Sequence, residues 1–506
     1  MISKIKTICF TGIDVKEVDV EVHFAKGQPG ITIVGLGDKA VRESIERVRA
    51  SLFSIGLILP PQRITINLAP ADILKEGTHY DLPIMLGILT NIGVIKQESV
   101  ASFIVVGELG LDGSIRGVNG VLPASLYAST KKIGLICPFE NGKEGAWGGE
   151  EMNIVAVEDL KQLIKYLKGE IKIERPQITK DDFVANSYKD MADVIGQERA
   201  KYAIEIAAAG GHNVLLIGSP GTGKTMISSR ITTILPPLTT EEMIEVSMIH
   251  SVAGLIKNGV LTSIRPFRAP HNTASQIAVI GGGSNAKPGE ITLAHNGVLF
   301  LDELPEFRRE TLEALRQPLE TGEVAIARTR VKVVYPARFQ LIAAMNPCKC
   351  GFFGSKTRPC TCSQKSALQY QGRISGPLLD RIDMHVRMDD VNHKVSNIGG
   401  DKQAEKSEEI KKRVVYARQV QAERYKSEKF RLNSHCPDGN LLNKYCMPKD
   451  KKALQALEGI ETKMHISMRG IGKIVRVART IADLERSSEV REEDILRASI
   501  FRSKLA

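Results

Sequence analysis

The sequence predicts an α/β protein built in three parts, and three observations carry that prediction. Over residues 1–171, short apolar runs bounded by glycines and polar turns alternate with stretches of helical spacing, as in a domain of mixed α/β elements. Over 190–400, buried strands and helices follow one another in turn, which is the pattern of a parallel sheet covered on both faces. Over 401–506 only helical periodicity is left. Residues 172–189, polar and Lys-rich with Pro176 among them, read as a linker. A chain of 506 residues has room for three domains.

Taken in order, Ile31-Thr-Ile-Val-Gly35 and Arg63-Ile-Thr-Ile-Asn-Leu68 are expected strands on either side of a helix from Lys39 to Leu52. Ser102 to Gly107 and Ile133 to Pro138 are two more strands around a helix from Leu122 to Lys132. In the second part Asn213 to Ile217, Gly297 to Leu301 and Gln340 to Ala344 are short buried strands. In the third, Glu405 to Tyr425 and Lys473 to Arg486 are helices, with a turn signal at Pro437 to Asn440 between helical blocks.

Hydrophobic residues at 42% and charged residues at 25% exclude a disordered or fibrous chain. The most apolar stretch, Leu82 to Ile95, is too short to cross a bilayer and contains Pro83, Gly87 and Asn91, so no membrane partner is expected. Met1-Ile-Ser-Lys4 does not open a signal peptide, and the cytoplasm is the expected compartment. The net charge of +11 is unevenly placed: residues 1–180 hold 21 basic and 21 acidic side chains, leaving 48 against 37 in 181–506. A neutral part followed by a basic one favours a polyanionic partner such as nucleic acid for the basic part.

Gly218-Ser219-Pro220-Gly221-Thr222-Gly223-Lys224-Thr225 follows an apolar strand and precedes the helical stretch Met226 to Leu235. Glycines let successive backbone N–H groups turn toward one anion, Lys224 reaches the β- and γ-phosphates, and Thr225 offers its hydroxyl to Mg²⁺. Val298-Leu-Phe-Leu-Asp302-Glu303 supplies the other half of such a site, with Asp302 holding the magnesium through water and Glu303 polarising an attacking water. Together the two motifs imply ATP hydrolysis. Leu341-Ile-Ala-Ala-Met-Asn346-Pro347 is expected to set Asn346 beside Asp302, where its amide meets the lytic water or the γ-phosphate; the alternative is a strand-ending Asn-Pro turn.

The order of Asp193-Val194-Ile195-Gly-Gln197, the phosphate loop, the Asp302-Glu303 strand and the Asn346 strand resembles an AAA+ ATPase. Arg265-Pro-Phe-Arg-Ala-Pro-His271 and Pro288-Gly-Glu-Ile-Thr-Leu-Ala-His-Asn-Gly297 resemble its magnesium-chelatase-like branch. With Ile33-Val-Gly-Leu36 and Asn67-Leu-Ala-Pro-Ala-Asp-Ile-Leu-Lys-Glu-Gly77, the likeness to the YifB/ComM proteins of bacteria covers nearly the whole chain. Asn272 stands where a second histidine would follow His271. The resemblance implies a Lon-protease-like α+β N-terminal domain, an AAA+ parallel-sheet core and a helical C-terminal lid, assembled as a homo-hexamer with ATP between subunits. It also implies that Val194 and Ile195 contact the nucleotide, that Arg381 in Gly376-Pro-Leu-Leu-Asp-Arg381 is an arginine finger, and that Arg469 in Ser467-Met-Arg-Gly470 is the nucleotide-sensing arginine of the lid.

Cys348, Cys350, Cys360 and Cys362 form C-x-C-x9-C-x-C, a set able to hold Zn²⁺ although tighter than the usual C-x₂₋₄-C; a reduced or redox-active loop is the alternative. Cys9, Cys137, Cys436 and Cys446 are scattered and expected as buried thiols. Val324 to Val334 reads as two strands joined by a tight turn with Arg328, Arg330 and Lys332 near its tip. It resembles the hairpin that replicative helicases of this branch project into a channel, which implies contact with single-stranded or branched DNA through phosphates. Gly107 to Gly120 resembles the proteolytic domain of the Lon family, but His79 falls where the serine nucleophile would be and Leu122 where the lysine base would be, so no protease activity is expected.

The leading reading is an ATP-driven motor on DNA, which for YifB/ComM-like proteins means branch migration of recombination intermediates in uptake or repair. A metal-chelatase ATPase subunit and a chaperone-like remodeller of protein partners are the alternatives.

Overall fold

In the computed structural model of the chain, residues 2–178, 189–283, 286–327, 332–355, 358–390 and 404–502 are described. The N-terminal sheet has seven strands: β1 (Ile2–Thr11), β2 (Asp14–Ala25), β3 (Gly30–Val34), β4 (Arg63–Ala69), β5 (Phe103–Val105), β6 (Gly134–Pro138) and β7 (Ile154–Val157). Their order across the sheet is β3-β4-β2-β1-β5-β6-β7, with β2 alone reversed. The sequence reading did not assign β1 and β2. Their signal is the period-two alternation of buried Val18, Val20 and Val22 with Glu17, Asp19 and Glu21. Helices α2 (Asp81–Asn91) and α3 (Val121–Thr130) pack on this sheet, and α1 (Lys39–Ser54) packs against α2. Every residue from Asp81 to Leu89 is buried, so the most apolar stretch of the sequence is a core helix. No described helix is long and apolar enough to cross a membrane.

The first residues of the expected linker are pinned rather than free. Ile173 packs on the N-terminal core, and the Arg175 guanidinium donates to the carbonyls of Ala146 (3.1 Å) and Gly149 (2.6 Å).

The second sheet has β8 (Val214–Ile217), β9 (Phe267–Arg268), β10 (Val298–Leu301), β13 (Gln340–Met345) and β14 (Met384–Arg387), while β11 (Glu323–Ala327) and β12 (Lys332–Pro336) form a separate hairpin between β10 and β13. All five strands of the sheet are parallel, in the order β9-β10-β13-β8-β14. Residues of β8, β10 and β13 are buried throughout, as strands covered on both faces require. The flanking helices include α4 (Glu198–Gly210), α5 (Lys224–Ile234) and α6 (Thr240–Val252).

The C-terminal part is helical: α7 (Ser407–Arg424), α8 (Lys451–Met464), α9 (Met468–Leu484) and α10 (Glu492–Ile500). Its apolar residues share one core with α4, β8 and β14, because Ile471, Ile474 and Ala478 join the cluster of Ala203, Val214 and Met384. A polar clasp marks the same junction. Asp383, just before β14, accepts from the backbone N–H of Asn213 (2.9 Å) and pairs with Lys473 of α9 (3.1 Å). Burial opposes its charge, but Lys473 and His212 hold the carboxyl well below the usual carboxylate range. The N-terminal sheet docks through α3 and α6: the backbone N–H of Gly120 donates to the Ser251 carbonyl (3.1 Å), and the Ser251 hydroxyl to Glu144 (2.5 Å).

Asp383→Ala leaves the Lys473 ammonium buried without its counter-charge, and such a loss costs about 3–5 kcal/mol. Calorimetry of the full chain should show a lowered unfolding transition, partly restored when Lys473→Met is added. An unchanged transition would show that the clasp does not hold the helices to the sheet.

Candidate functional site

The loop from Gly218 to Gly223 leaves the carboxyl end of the central strand β8 and runs into α5. Gly221 and Gly223 have φ of +84° and +88°, the left-handed region that favours glycine, and nothing within 4 Å would meet an added side chain at either. The loop is therefore an open cradle of backbone N–H groups. Lys224 begins α5 and turns back beneath the loop. Its ammonium donates to the carbonyls of Gly218 (2.7 Å) and Ser219 (3.0 Å) and to Asn346 Oδ1 (3.0 Å). Burial pulls its pKa down against the opposing charges of Asp302 and Glu303. A buried cation held by neutral oxygens and facing an open cradle is suited to a polyanion.

β10 and β13 are neighbours in the sheet, so Asp302 and Asn346 emerge side by side, as expected from the sequence. Thr225 Oγ1 donates to Asp302 Oδ2 (2.7 Å), which brings together a hydroxyl and a carboxylate, the hard oxygen ligands that Mg²⁺ takes. Glu303 sits in left-handed backbone at φ +51°, and its N–H donates to Asp302 Oδ1 (2.9 Å). The unexplained Asn272 finds its place here: its amide Nδ2 donates to Glu303 Oε2 (2.7 Å). Asn272 thus holds the carboxylate that would act on water. Its sequence neighbours gave no sign of this, because the contact spans 31 residues. Ile195 is 59% exposed and can meet a nucleotide, whereas Val194 lies in the core and supports the loop from behind. Gln197 fastens this segment to the cradle through Thr222 O (3.2 Å) and Asp389 O (2.8 Å).

Arg381 and Arg469 are not brought to this cluster. Arg381 lies before β14, and its carbonyl accepts from the Asn213 amide (3.1 Å) at the amino end of β8. The phosphate loop begins at the other end of β8, four residues or about 13 Å away. The Arg381 guanidinium pairs with Glu320 (2.5 Å) and donates to the carbonyls of Arg316 (3.1 Å) and Pro377 (2.8 Å). Arg469 belongs to the same end: it begins α9 one turn before Lys473, and its charge joins that of Arg381 in holding the Glu320 carboxyl below its ordinary range. Arg381 lies at the end of the sheet opposite Lys224, and Arg469 lies one turn along α9 from Lys473, which pairs with Asp383 at that same end.

In the hairpin, Val324, Ile326, Val333 and Tyr335 are buried and Lys332 is exposed at the start of β12. Arg328 and Arg330 lie outside the described residues. The four cysteine sulfurs converge within 4.8 Å of one another, with Cys348 3.3 Å from Cys350 and 3.7 Å from Cys360, and Cys350 3.4 Å from Cys360. Backbone N–H groups of Phe352 and Thr361 aimed at its sulfur pull Cys350 down to about 5, while desolvation and neighbouring sulfurs push Cys360 up to about 12. Cys9, Cys137, Cys436 and Cys446 are buried, as expected.

Three family descriptions match the chain: "Magnesium chelatase, subunit ChlI" over residues 190–396, "Subunit ChlI of Mg-chelatase" over 20–141, and "Magnesium chelatase, subunit ChlI C-terminal" over 404–502. A YifB protein of Salmonella typhimurium is 41% identical over 97% of this chain and 95% of its own length. The competence protein ComM of Haemophilus influenzae is 41% identical over 97% of this chain and 96% of its own. The chain belongs to the YifB/ComM family of magnesium-chelatase-like AAA+ proteins. The 38 kDa magnesium-chelatase subunit of Rhodobacter capsulatus is similar over a shorter stretch, 27% identical across 30% of this chain and 49% of its own length.

The two magnesium-chelatase-like stretches are tied to each other and to the elements around β10. Arg268 and Glu290, one from each chelatase-like stretch, form a bidentate pair at 2.6 and 2.7 Å. Arg265 binds Glu242 of α6 (2.8 Å) and the Asn296 carbonyl (2.7 Å), and so fixes the approach to β10.

In the N-terminal part, His79 is buried and its Nε2 meets the Ile8 carbonyl at 2.9 Å, so the ring donates there. Leu122 is buried as well, and its backbone N–H donates to Glu144 (3.0 Å). Burial pulls His79 down to about 4, below its unfolded value near 6.5. A depressed folded pKa gives stability that is present above the unfolded pKa and is lost as pH falls through the folded one. The N-terminal part should therefore lose about 3 kcal/mol between pH 6.5 and 4 through this group. Denaturant melts across that range should flatten in His79→Gln, whose amide can still donate to Ile8; an equally steep dependence would remove His79 as its source.

Proposed function

We propose that this chain is an ATP-hydrolysing, ring-forming motor that moves on DNA and drives branch migration of recombination intermediates. The observation that carries the reading is the division of one site between two ends of one parallel sheet. Lys224, Thr225, Asp302, Glu303 and Asn346 gather at the carboxyl ends, and Arg381 and Arg469 at the amino end. An arginine that cannot reach its own phosphate loop can serve the loop of a neighbouring copy, and a head-to-tail repeat of that contact closes into a ring. A hexamer with ATP at each junction is the form in which we expect it.

Lys224 and the loop N–H groups bind the phosphates, and Asn346 orients the γ-phosphate or the attacking water. Glu303 takes the proton of that water once Asn272 releases it. Thr225 and Asp302 would hold Mg²⁺, which when bound neutralises charge on the β- and γ-phosphates. Arg381 and Arg469 of the next subunit offset charge at the reacting phosphate.

DNA as the substrate is supported by the basic excess of 181–506, by the hairpin carrying Arg328, Arg330 and Lys332, and by a 41% identical relative that bears the name of a competence protein. The N-terminal part would be a Lon-like fold that has lost its protease chemistry and serves substrate engagement or assembly, and the C-terminal helices the lid. The cytoplasm is where such a motor would meet its DNA. A chelatase subunit is the second reading, favoured by the three matching family descriptions.

Branched or forked DNA should stimulate ATP turnover, and Glu303→Gln should lower kcat by about 10²–10⁴-fold while nucleotide still binds. Alanine at Arg328, Arg330 and Lys332 should weaken DNA binding and flatten its dependence on the logarithm of salt concentration by about two. No stimulation by any DNA would favour a protein or metal substrate instead.

Lys224→Ala and Arg381→Ala should each be inactive alone. Mixed in equal amounts they should regain about one quarter of wild-type turnover, because a shared site needs only one intact group from each neighbour. Mixtures that stay inactive would argue that both groups act within one subunit.

A further inference from the structure

The cysteine loop is built onto the phosphate loop. Met345, Asn346 and Gly351 each touch it: the Gly218 N–H donates to the Met345 carbonyl (3.3 Å), Lys224 to Asn346 (3.0 Å), and Gly351 lies against Pro220. At Gly351, with φ +89°, an added Cβ would stand 2.6 Å from Pro220 Cδ. Gly351 lies between the cysteine pairs, and Cys348, two residues after Asn346, is wholly buried. The other side of the loop is tied down by Gln371, whose amide donates to the Pro347 carbonyl (2.8 Å), and by Ser355, whose hydroxyl donates to Asp390 (2.6 Å).

The sulfurs suit a single ion. Four thiolates at about 2.3 Å from Zn²⁺ stand about 3.8 Å from one another in a tetrahedron; the sulfurs of Cys348, Cys350 and Cys360 lie 3.3 to 3.7 Å apart, with that of Cys362 within 4.8 Å of each. These separations are too long for a disulfide, whose sulfurs are about 2.05 Å apart. A soft, all-sulfur tetrahedral set selects zinc, with mononuclear iron as the other metal of that geometry.

We propose that Cys348, Cys350, Cys360 and Cys362 bind one Zn²⁺ and that the loaded loop braces the phosphate loop, so that nucleotide affinity depends on the metal. The proposal rests on the ATP reading above. Zinc crosslinks the two cysteine pairs and fixes Gly351 against Pro220 and Asn346 beside Lys224. Without it, no bond joins the two cysteine pairs, and the cradle must be ordered when the nucleotide arrives, which lowers affinity.

The test uses the full chain purified without chelators. Elemental analysis should find about one zinc per chain, and a fluorescent ATP analogue with Mg²⁺ should bind. Cys362→Ser, and wild-type protein stripped by a chelator, should lose zinc and bind the analogue about tenfold more weakly. Circular dichroism should show their helices retained; if they unfold, Gly351→Ala decides, since it should keep zinc and still bind the analogue more weakly. Lys224→Ala should lose the analogue and keep zinc. Folded, zinc-free protein that binds the analogue as tightly as loaded protein would overturn the brace alone, as would full affinity in Gly351→Ala. Protein without zinc, or with iron in its place, would overturn the metal. Zinc-loaded wild type that binds no analogue would overturn the ATP reading, and the brace with it, while the zinc count stands.

Discussion

The ammonium of Lys224 is buried among the carbonyls of Gly218 and Ser219 and the amide of Asn346, and among the described residues no carboxylate hydrogen-bonds to it. A cation removed from water and given only neutral acceptors is costly unless something nearby is designed to receive it. Much of the surrounding structure is arranged on that account. β13 ends where it does to deliver Asn346, the glycines of the loop keep the space above open, and Asp302 and Glu303 stand close enough to favour the charge without pairing with it.

The parallel direction of the five strands then divides the chemistry. Everything that follows a strand falls at one edge of the sheet, and everything that precedes a strand falls at the other. The loop, Asp302 and Asn346 follow β8, β10 and β13; Arg381 and the Asp383 clasp precede β14. Asp383 is tied to both Asn213 and Lys473, so the arginine end of the sheet is joined to α9.

Among the described residues, the hydrogen bonds that join Lys224, Thr225, Asp302, Glu303 and Asn346 include no group from the N-terminal part. It is joined to the second sheet through α3 and α6, where Glu144 receives both Leu122 and Ser251. Leu122, which is buried, thus lies against this junction. Gly12, in the β1–β2 turn, lies against Val333 and Tyr335 of the hairpin. The neutral part of the chain is therefore in contact with the element expected to meet DNA.

By itself the sequence determined the parallel sheet, the phosphate loop, the acidic strand end and the polar strand end, because each is written in consecutive residues: a buried run, then a turn whose residues have few other uses. The convergence of four cysteines was legible for the same reason, since short spacing restricts where the thiols can point. Strands β1 and β2 were legible in principle from their alternation, but in an N-terminal stretch with few turn signals the pattern is weak. Only the tertiary structure decided that Asn272 holds Glu303, that Arg381 and Arg469 share the end of the sheet away from Lys224, and that Gly351 rests on Pro220. The contacts of Asn272 with Glu303 and of Gly351 with Pro220 join residues 31 and 131 positions apart, and nothing local in a chain encodes which of its distant segments will meet. They are set by how the strands are ordered across the sheet, and that order is fixed by burial of the whole apolar core rather than by any one motif.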